Sequence, residues 1–381
     1  MTKYQEVVEG IEARRKNTYN CIPTHFERLS PYFPGIERKT YYLATASSGV
    51  GKSKFSREAA IYGPLKFLEE HPECDFTYHP FYISLEETEE QFVLNGILSR
   101  LALEDGIELD MMTLKGVGVN RHKLTDYVME RIRAHQAYFE DLMKKVTFVD
   151  TVRNPTGIYY LMREYAWKVG KFYKKGVHVT DPKGSWDTYI PDNPKEIVMV
   201  IVDHLSLLAT EKKEDRMMSL TETMDYFSNH YAIHMRNKLH MSVWVVQQQS
   251  ADKERVEHTF KGVKIEEKLE PSLDGLGDSK KTQRDVDYAF GLFAPNRYDI
   301  PTHRGYSVTL LQDRYRSLSI LKSREAPPGA RIGLYFRGDL NTFEELPPAK
   351  EMNDLMSGEP DPDKYRPYLP KKGLGKTTFS P

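Results

Sequence analysis

A mostly parallel β-sheet with helices on both faces, carried on by an antiparallel C-terminal extension, is the α/β fold that this 381-residue sequence predicts. Three observations predict it. Short continuous apolar runs alternate with helical stretches from residue 39 onward, the pattern of strands buried on both faces. One of those runs, Tyr41-Tyr-Leu-Ala-Thr45, leads directly into a glycine-bearing loop and then a helix-like segment. After residue 287 the helices give way to closely spaced strand candidates, as an antiparallel extension of the same sheet requires.

Taken in order, residues 3 to about 16 carry Val7, Val8 and Ile11 among charged neighbours at roughly helical spacing, then reach the turn-rich stretch Asn17–Pro23. This reads as a short amphipathic helix on a tether (residues 1–22), packed either on its own domain or on a neighbouring subunit. Parallel strands are expected at 39–45, 80–85, 146–150, 197–203 and 242–247, and the extension at 287–294, 305–312, 315–322 and 331–337. One domain, 23–346, accounts for all of them. Residues 167–195, rich in glycine, lysine, tyrosine and proline, read as an insertion forming a hairpin or ordered loop on the rim. Residues 347–381 hold repeated proline, glycine and charge with few aliphatics, so they are expected to form a disordered tail.

Composition narrows the function. Lys plus Arg (54) nearly cancels Asp plus Glu (55), so any nucleic-acid contact has to come from local basic loops. Two cysteines, Cys21 and Cys74, have no paired spacing and no histidine cluster, which argues against a disulfide scaffold or structural zinc. The polar N-terminus and the absence of a long apolar run point to a cytoplasmic protein with no membrane span.

The loop Ala46-Ser47-Ser48-Gly49-Val50-Gly51-Lys52-Ser53 has the order a phosphate cradle needs. Its backbone N–H groups and the following helix N-terminus face phosphate oxygens, Lys52 reaches the β and γ phosphates, and the Ser53 hydroxyl ligates magnesium. Hydrolysis of a nucleoside triphosphate also needs a carboxylate to orient the attacking water. Glu86 is the candidate, because it follows the apolar strand 81–85 at the carboxyl edge of the sheet; Glu87, Glu89 and Glu90 suit a helix N-terminus. Asp203 ends the buried strand Ile197–Val202 and can hold the metal opposite Ser53. The strand 242–247 ends in Gln247, Gln248 and Gln249, amides able to sense the γ phosphate. Lys322 and Arg324, two apart on a strand, face the same side and can converge on one phosphate group.

The order of these parts resembles the RecA-like P-loop motor domain of DnaB-type replicative DNA helicases. Six short blocks carry the resemblance: the cradle opening with Ala46; Phe81–Glu86, like that family's Ser-Leu-Glu block with the catalytic glutamate; and Val200–Leu208, like its Walker B strand, with His204 in place of tyrosine. Trp244–Ser250 is similar to its sensor block, which places Gln248 at the sensor glutamine. Leu276–Ser279 and Asp285–Asp287 resemble two further blocks, with Gly277 in place of arginine and Lys280 in place of glycine. Leu321–Arg324 looks like the hairpin whose Lys322 and Arg324 reach the adjacent subunit's nucleotide.

The resemblance implies ATP and Mg2+ as cofactors, a homo-oligomer, most simply a hexamer, with sites at subunit boundaries, and single-stranded DNA in its channel. Two basic stretches that follow strand ends are the candidate DNA contacts: Lys212, Lys213 and Arg216, then Lys253, Arg255, Lys261 and Lys264. The expected function is an ATP-driven ring translocase that unwinds duplex DNA, in replication of a phage or mobile element, with a loader or primase as a further partner. The alternative is a RecA-like ATPase switch for recombination, loading or regulation that binds DNA without unwinding it.

Overall fold

The computed structural model describes residues 2–182, 184–250, 259–260, 263–264, 266–277, 279, 281–338 and 340–352. Its centre is a nine-stranded sheet. In chain order the strands are β1 (Tyr41–Ala46), β2 (Thr77–Ser84), β3 (Thr147–Val149), β4 (Glu196–Asp203), β5 (Ser242–Gln248), β6 (Tyr288–Phe293), β7 (Tyr315–Ser323), β8 (Arg331–Arg337) and β9 (Thr342–Glu345). Across the sheet they run β9-β8-β7-β6-β1-β5-β4-β2-β3. Strands β6, β1, β5, β4, β2 and β3 are parallel, and β7, β8 and β9 add antiparallel. The sheet is therefore mixed, mostly parallel and extended antiparallel at one edge.

Burial on both faces explains why the central strands read as unbroken apolar runs. Successive side chains of a strand alternate between faces. In β1, Tyr42, Ala44 and Ala46 join one core cluster with Trp244, Phe290 and Phe55, whereas Tyr41 and Leu43 join the other with Val200, Val243, Met162 and Phe227. The first cluster is dense in rings: Phe55 lies 6.0 Å from Phe26, 6.2 Å from Trp244 and 5.9 Å from Phe343. Residues 22–36 close this face through Ile22, Phe26, Leu29, Phe33 and Ile36.

Helix α1 (Lys3–Lys16) forms as its spacing predicts, opened by a Thr2–Gln5 capping box, and buries none of its residues. Residues 167–195 contain a three-stranded antiparallel sheet of Gly170–Lys174, Val177–His178 and Thr188–Pro191, with Phe172 and Tyr189 buried in the second core cluster.

Three expectations need correction. The run 287–294, expected in the antiparallel extension, is β6 and pairs parallel with β1, so the antiparallel edge begins only at β7. The stretch 305–312 is not one strand: Tyr306–Ser307 pairs with Thr302–His303 in a tight hairpin, and Val308–Leu311 then turns into a helix. Val308 and Leu311 stand three apart, so a helical turn buries both beside Tyr306 and Tyr315, which an extended chain cannot do. Nor does packing stop at residue 346, because Met352 is buried in that same cluster. The remainder of the expected tail, 353–381, lies outside the described residues. Among the described residues, no helix is long and apolar enough to cross a membrane.

The ring cluster generates a stability prediction. Phe55→Ala removes the aromatic plug between the helix after β1 and the sheet. Denaturant titration should show unfolding about 3–5 kcal/mol easier, with the slope unchanged.

Candidate nucleotide site

The loop between β1 and the helix that follows it, α2 (Lys52–Glu70), sits at the centre of the nine-stranded sheet, with β5 on one side of β1 and β6 on the other. That is the crevice at the carboxyl ends of strands where open α/β folds bind ligands. α2 begins at Lys52 and continues to Glu70, with a π-helical turn at Glu58–Tyr62. The backbone of the loop explains its glycines. Gly49 and Gly51 have φ of 69° and 109°, which is left-handed territory, and a Cβ on Gly51 would come within 3.1 Å of the Phe343 ring. Val50 is buried beneath the loop, Ser47 and Lys52 are each 9% exposed, and Ser48 and Gly49 face outward.

Two arginines that sequence reasoning missed hold this loop from the antiparallel side of the sheet. Arg297, in the turn after β6, donates to the Ser48 carbonyl. Arg316, on β7 and only 1% exposed, donates from Nε to the Val50 carbonyl at 2.9 Å and lies against the Phe336 ring. The signal for Arg316 was faint: it is the one charged residue in the strand-like run Tyr315–Leu321.

Residues far apart in the chain meet beside the loop. Ser53 Oγ donates to Asp203 Oδ1 at 3.0 Å, and the Tyr82 hydroxyl donates to Asp203 Oδ2 at 2.7 Å. Burial, and then the charge of Asp203, push the Tyr82 phenol well above its ordinary range, so it stays a donor. A hydroxyl and a carboxylate in contact are hard oxygen donors of the kind Mg2+ takes in small number, leaving its remaining positions for phosphate and water. Ser53 and Asp203 therefore fit the metal role expected of them.

Glu86 lies in the turn after β2, beside the end of β4, since Ser84 is in register with Asp203. The strand stops two residues before Glu86 rather than at Leu85. The Glu86 side chain is 63% exposed, and its contact with His204 Nε2 is long, at 4.0 Å. An exposed, lightly held carboxylate at this edge is free to take up a water.

The three glutamines are sorted by strand alternation. Gln247 donates to the carbonyls of Gly277 and Ser279 at 2.6 and 2.7 Å, and Gln249 to Thr45 Oγ1 and the Ser272 carbonyl at 2.9 and 3.1 Å. Both are buried structural ties. Gln248 points to the other side, in register with Ala46 at the mouth of the cradle. Lys322 and Arg324 also come together, although β7 ends at Ser323 and Arg324 lies one residue past it rather than on the strand as expected: both donate to the Arg284 carbonyl, at 3.2 Å each, and Arg324 pairs with Asp287 at 3.1 Å. They do not join the cradle of their own chain. β7 runs antiparallel to β6, which puts Lys322 level with Leu43 and Arg324 near the start of β1, roughly 10–16 Å from Ala46 along the strands.

The candidate DNA residues are spread more widely. Lys212 and Lys213 are exposed on a short hairpin with Arg216–Met217. Arg216 is bound in a bidentate pair to Glu222, at 2.9 and 2.5 Å, and Lys213 lies 5.0 Å from the Tyr226 ring centre. Lys253, Arg255 and Lys261 lie outside the described residues, and Lys264 is described only in backbone, paired with Thr259.

The glutamine geometry makes a prediction. Gln248→Ala should leave the melting temperature unchanged while slowing nucleotide hydrolysis at least tenfold, and Gln247→Ala and Gln249→Ala should each lower stability by about 1–3 kcal/mol. Thermal melts beside steady-state assays separate the two groups.

No protein-family profile and no curated protein sequence matches this chain. Solved structures do. A structure described as an ATPase domain is matched over 91% of this chain and 100% of its own length, at 17% identity and a TM-score of 0.62. A DnaB-like replicative helicase, solved to show its interactions with primase, is matched over 90% of this chain and 68% of its own, at 18% identity and a TM-score of 0.62. With its mostly parallel sheet and antiparallel edge, the chain has the RecA-like fold of the ATPase domain of DnaB-like replicative helicases.

Proposed function

We propose that this chain is the motor of a ring-shaped DNA helicase, hydrolysing ATP with Mg2+ at subunit boundaries to move along single-stranded DNA. The observation that carries the reading is a division of the site. One end of the sheet gathers the cradle, Ser53, Asp203, Glu86 and Gln248, and the opposite end carries Lys322 and Arg324 as a converging pair of cations. A phosphoryl-transfer site needs both halves: cradle and metal for the ground state, and added positive charge for the transition state. A second copy of the chain supplies the missing half, and a closed ring, most simply six copies, supplies it to every site.

In this reading Lys52 and the loop amides bind the β and γ phosphates. Ser53 and Asp203 hold the metal, which neutralises charge on those phosphates. Glu86 orients and deprotonates the attacking water, and Gln248 registers the γ phosphate from the end of β5. Residues 23–346 act as the motor, and residues 1–22 form the tether through which subunits connect. The Lys212–Lys213 hairpin and the segment containing Lys253, Arg255, Lys261 and Lys264 are assigned to the strand in the channel, and a loader or primase to the outer surface. The likeness to a helicase solved with its primase interactions supports that kind of partner.

Two measurements test the reading. ATP-dependent strand displacement from a forked duplex should be lost in Lys52→Ala and in Glu86→Gln; ATPase activity and DNA binding without any displacement would instead indicate a RecA-like switch. For the trans cations, Arg324→Ala and Lys52→Ala should each reduce ATPase about 10³-fold or more when alone. Mixing the two variants should restore part of the activity, since a hybrid boundary combines an intact cradle with an intact arginine. No recovery on mixing would remove the trans role.

A further inference from the structure

We infer that Arg57 and Glu87 form a positioning pair that sets the distance between the phosphate cradle and Glu86; the inference rests on the reading of Glu86 as the water-orienting carboxylate. Arg57 lies one helical turn after Ser53 on α2, so the two side chains leave the same face of the helix. Ser53 reaches Asp203, and Arg57 Nη1 reaches Glu87 Oε2 at 2.6 Å. The guanidinium is 2% exposed and lies beside the rings of Tyr82 and Phe92, each 5.9 Å away. Its Nη2 is buried with no hydrogen-bond partner. A surface ion pair does not strip a guanidinium of water in this way. Burial disfavours the charge, and the paired Glu87 carboxylate opposes that effect.

The turn that carries Glu86 is tied down on both sides of that residue. Ser84 Oγ donates to the Glu87 carbonyl at 2.6 Å and accepts the Glu87 N–H at 2.9 Å. The Leu85 N–H donates to the Asp203 carbonyl at 2.8 Å, and the Leu85 carbonyl accepts from Arg153 at 2.5 Å. With Glu87 gripped by Arg57, Glu86 is left as the side chain of the turn that projects into solvent. The links close a circuit: Ser53 to Asp203, Asp203 to Tyr82, Tyr82 beside Arg57, Arg57 to Glu87, and α2 back to Ser53. The circuit fixes the spacing between α2 and the residue next to Glu86. Arg57 touches neither phosphate nor water, so it acts through Glu86.

The test uses the full chain with ATP and Mg2+, comparing Glu87→Gln with the double variant Arg57→Met/Glu87→Met, which removes both charges and strands neither. The expected result for both is a kcat lower by about 10–100-fold, with KM and the affinity for a fluorescent ATP analogue within about twofold of the parent. In a Glu86→Gln background, Glu87→Gln should produce no further loss, because the pair has nothing left to position. A double variant that folds and turns over at the parental rate overturns the inference, as does a kcat loss accompanied by an equal loss of nucleotide affinity. If Glu86→Gln alone retains full turnover while Lys52→Ala does not, the assignment of Glu86 fails, and the role of the pair fails with it.

Discussion

The hydrogen bond from Ser53 to Asp203 is the contact on which the site depends. It joins the first turn of α2 to the end of β4, across 150 residues of sequence, and it requires β4 to end about level with Ala44 of β1, with only β5 between them. A slip of one residue in either pairing would turn Asp203 to the other face of the sheet. The long apolar alternation of β1, β4 and β5 prevents that slip, because each strand buries both faces and a shifted register would exchange two different sets of core residues. The packing energy of the core is thus also what holds a hydroxyl and a carboxylate in place for a cation.

Around that contact, the antiparallel edge does more than finish the sheet. Arg297 and Arg316 bind carbonyls of the cradle, and the rings of Phe336 and Phe343 wall the left-handed Gly51. The loop is thus held from outside by the turn after β6 and by β7 to β9. The same edge places Lys322 and Arg324 at the far end of β7. A strand that runs antiparallel to its neighbour carries its last residues to the opposite end of the sheet, away from the cradle of its own chain.

Much of this was legible in the residues. The glycine-bearing loop, the strand ending in Asp203 and five of the six parallel strand positions follow from local patterns: two-sided burial leaves continuous apolar runs, and a cradle needs small residues with unusual φ. The direction of the sixth, β6, is set by its pairing with β1 and left no local trace. Other features left no local trace. Val308 and Leu311 were read as extended because apolar residues in a short window suit either period, and only their common cluster with Tyr306 and Tyr315 selects the helical turn. Met352 follows two prolines in a polar stretch, and its burial depends on a pocket built by distant strands.

By itself the sequence determined the chemistry available: which side chains can cradle phosphate, hold a cation or orient water, and which segments must be buried. The tertiary structure decided which of them meet. It turned Gln247 and Gln249 into buried ties while Gln248 faces the other side, tied the loop to Arg297 and Arg316, and bound Arg57 to Glu87 next to Glu86. Residue type and spacing act over a few positions of chain, whereas these choices depend on strand register and on burial between segments tens to hundreds of residues apart.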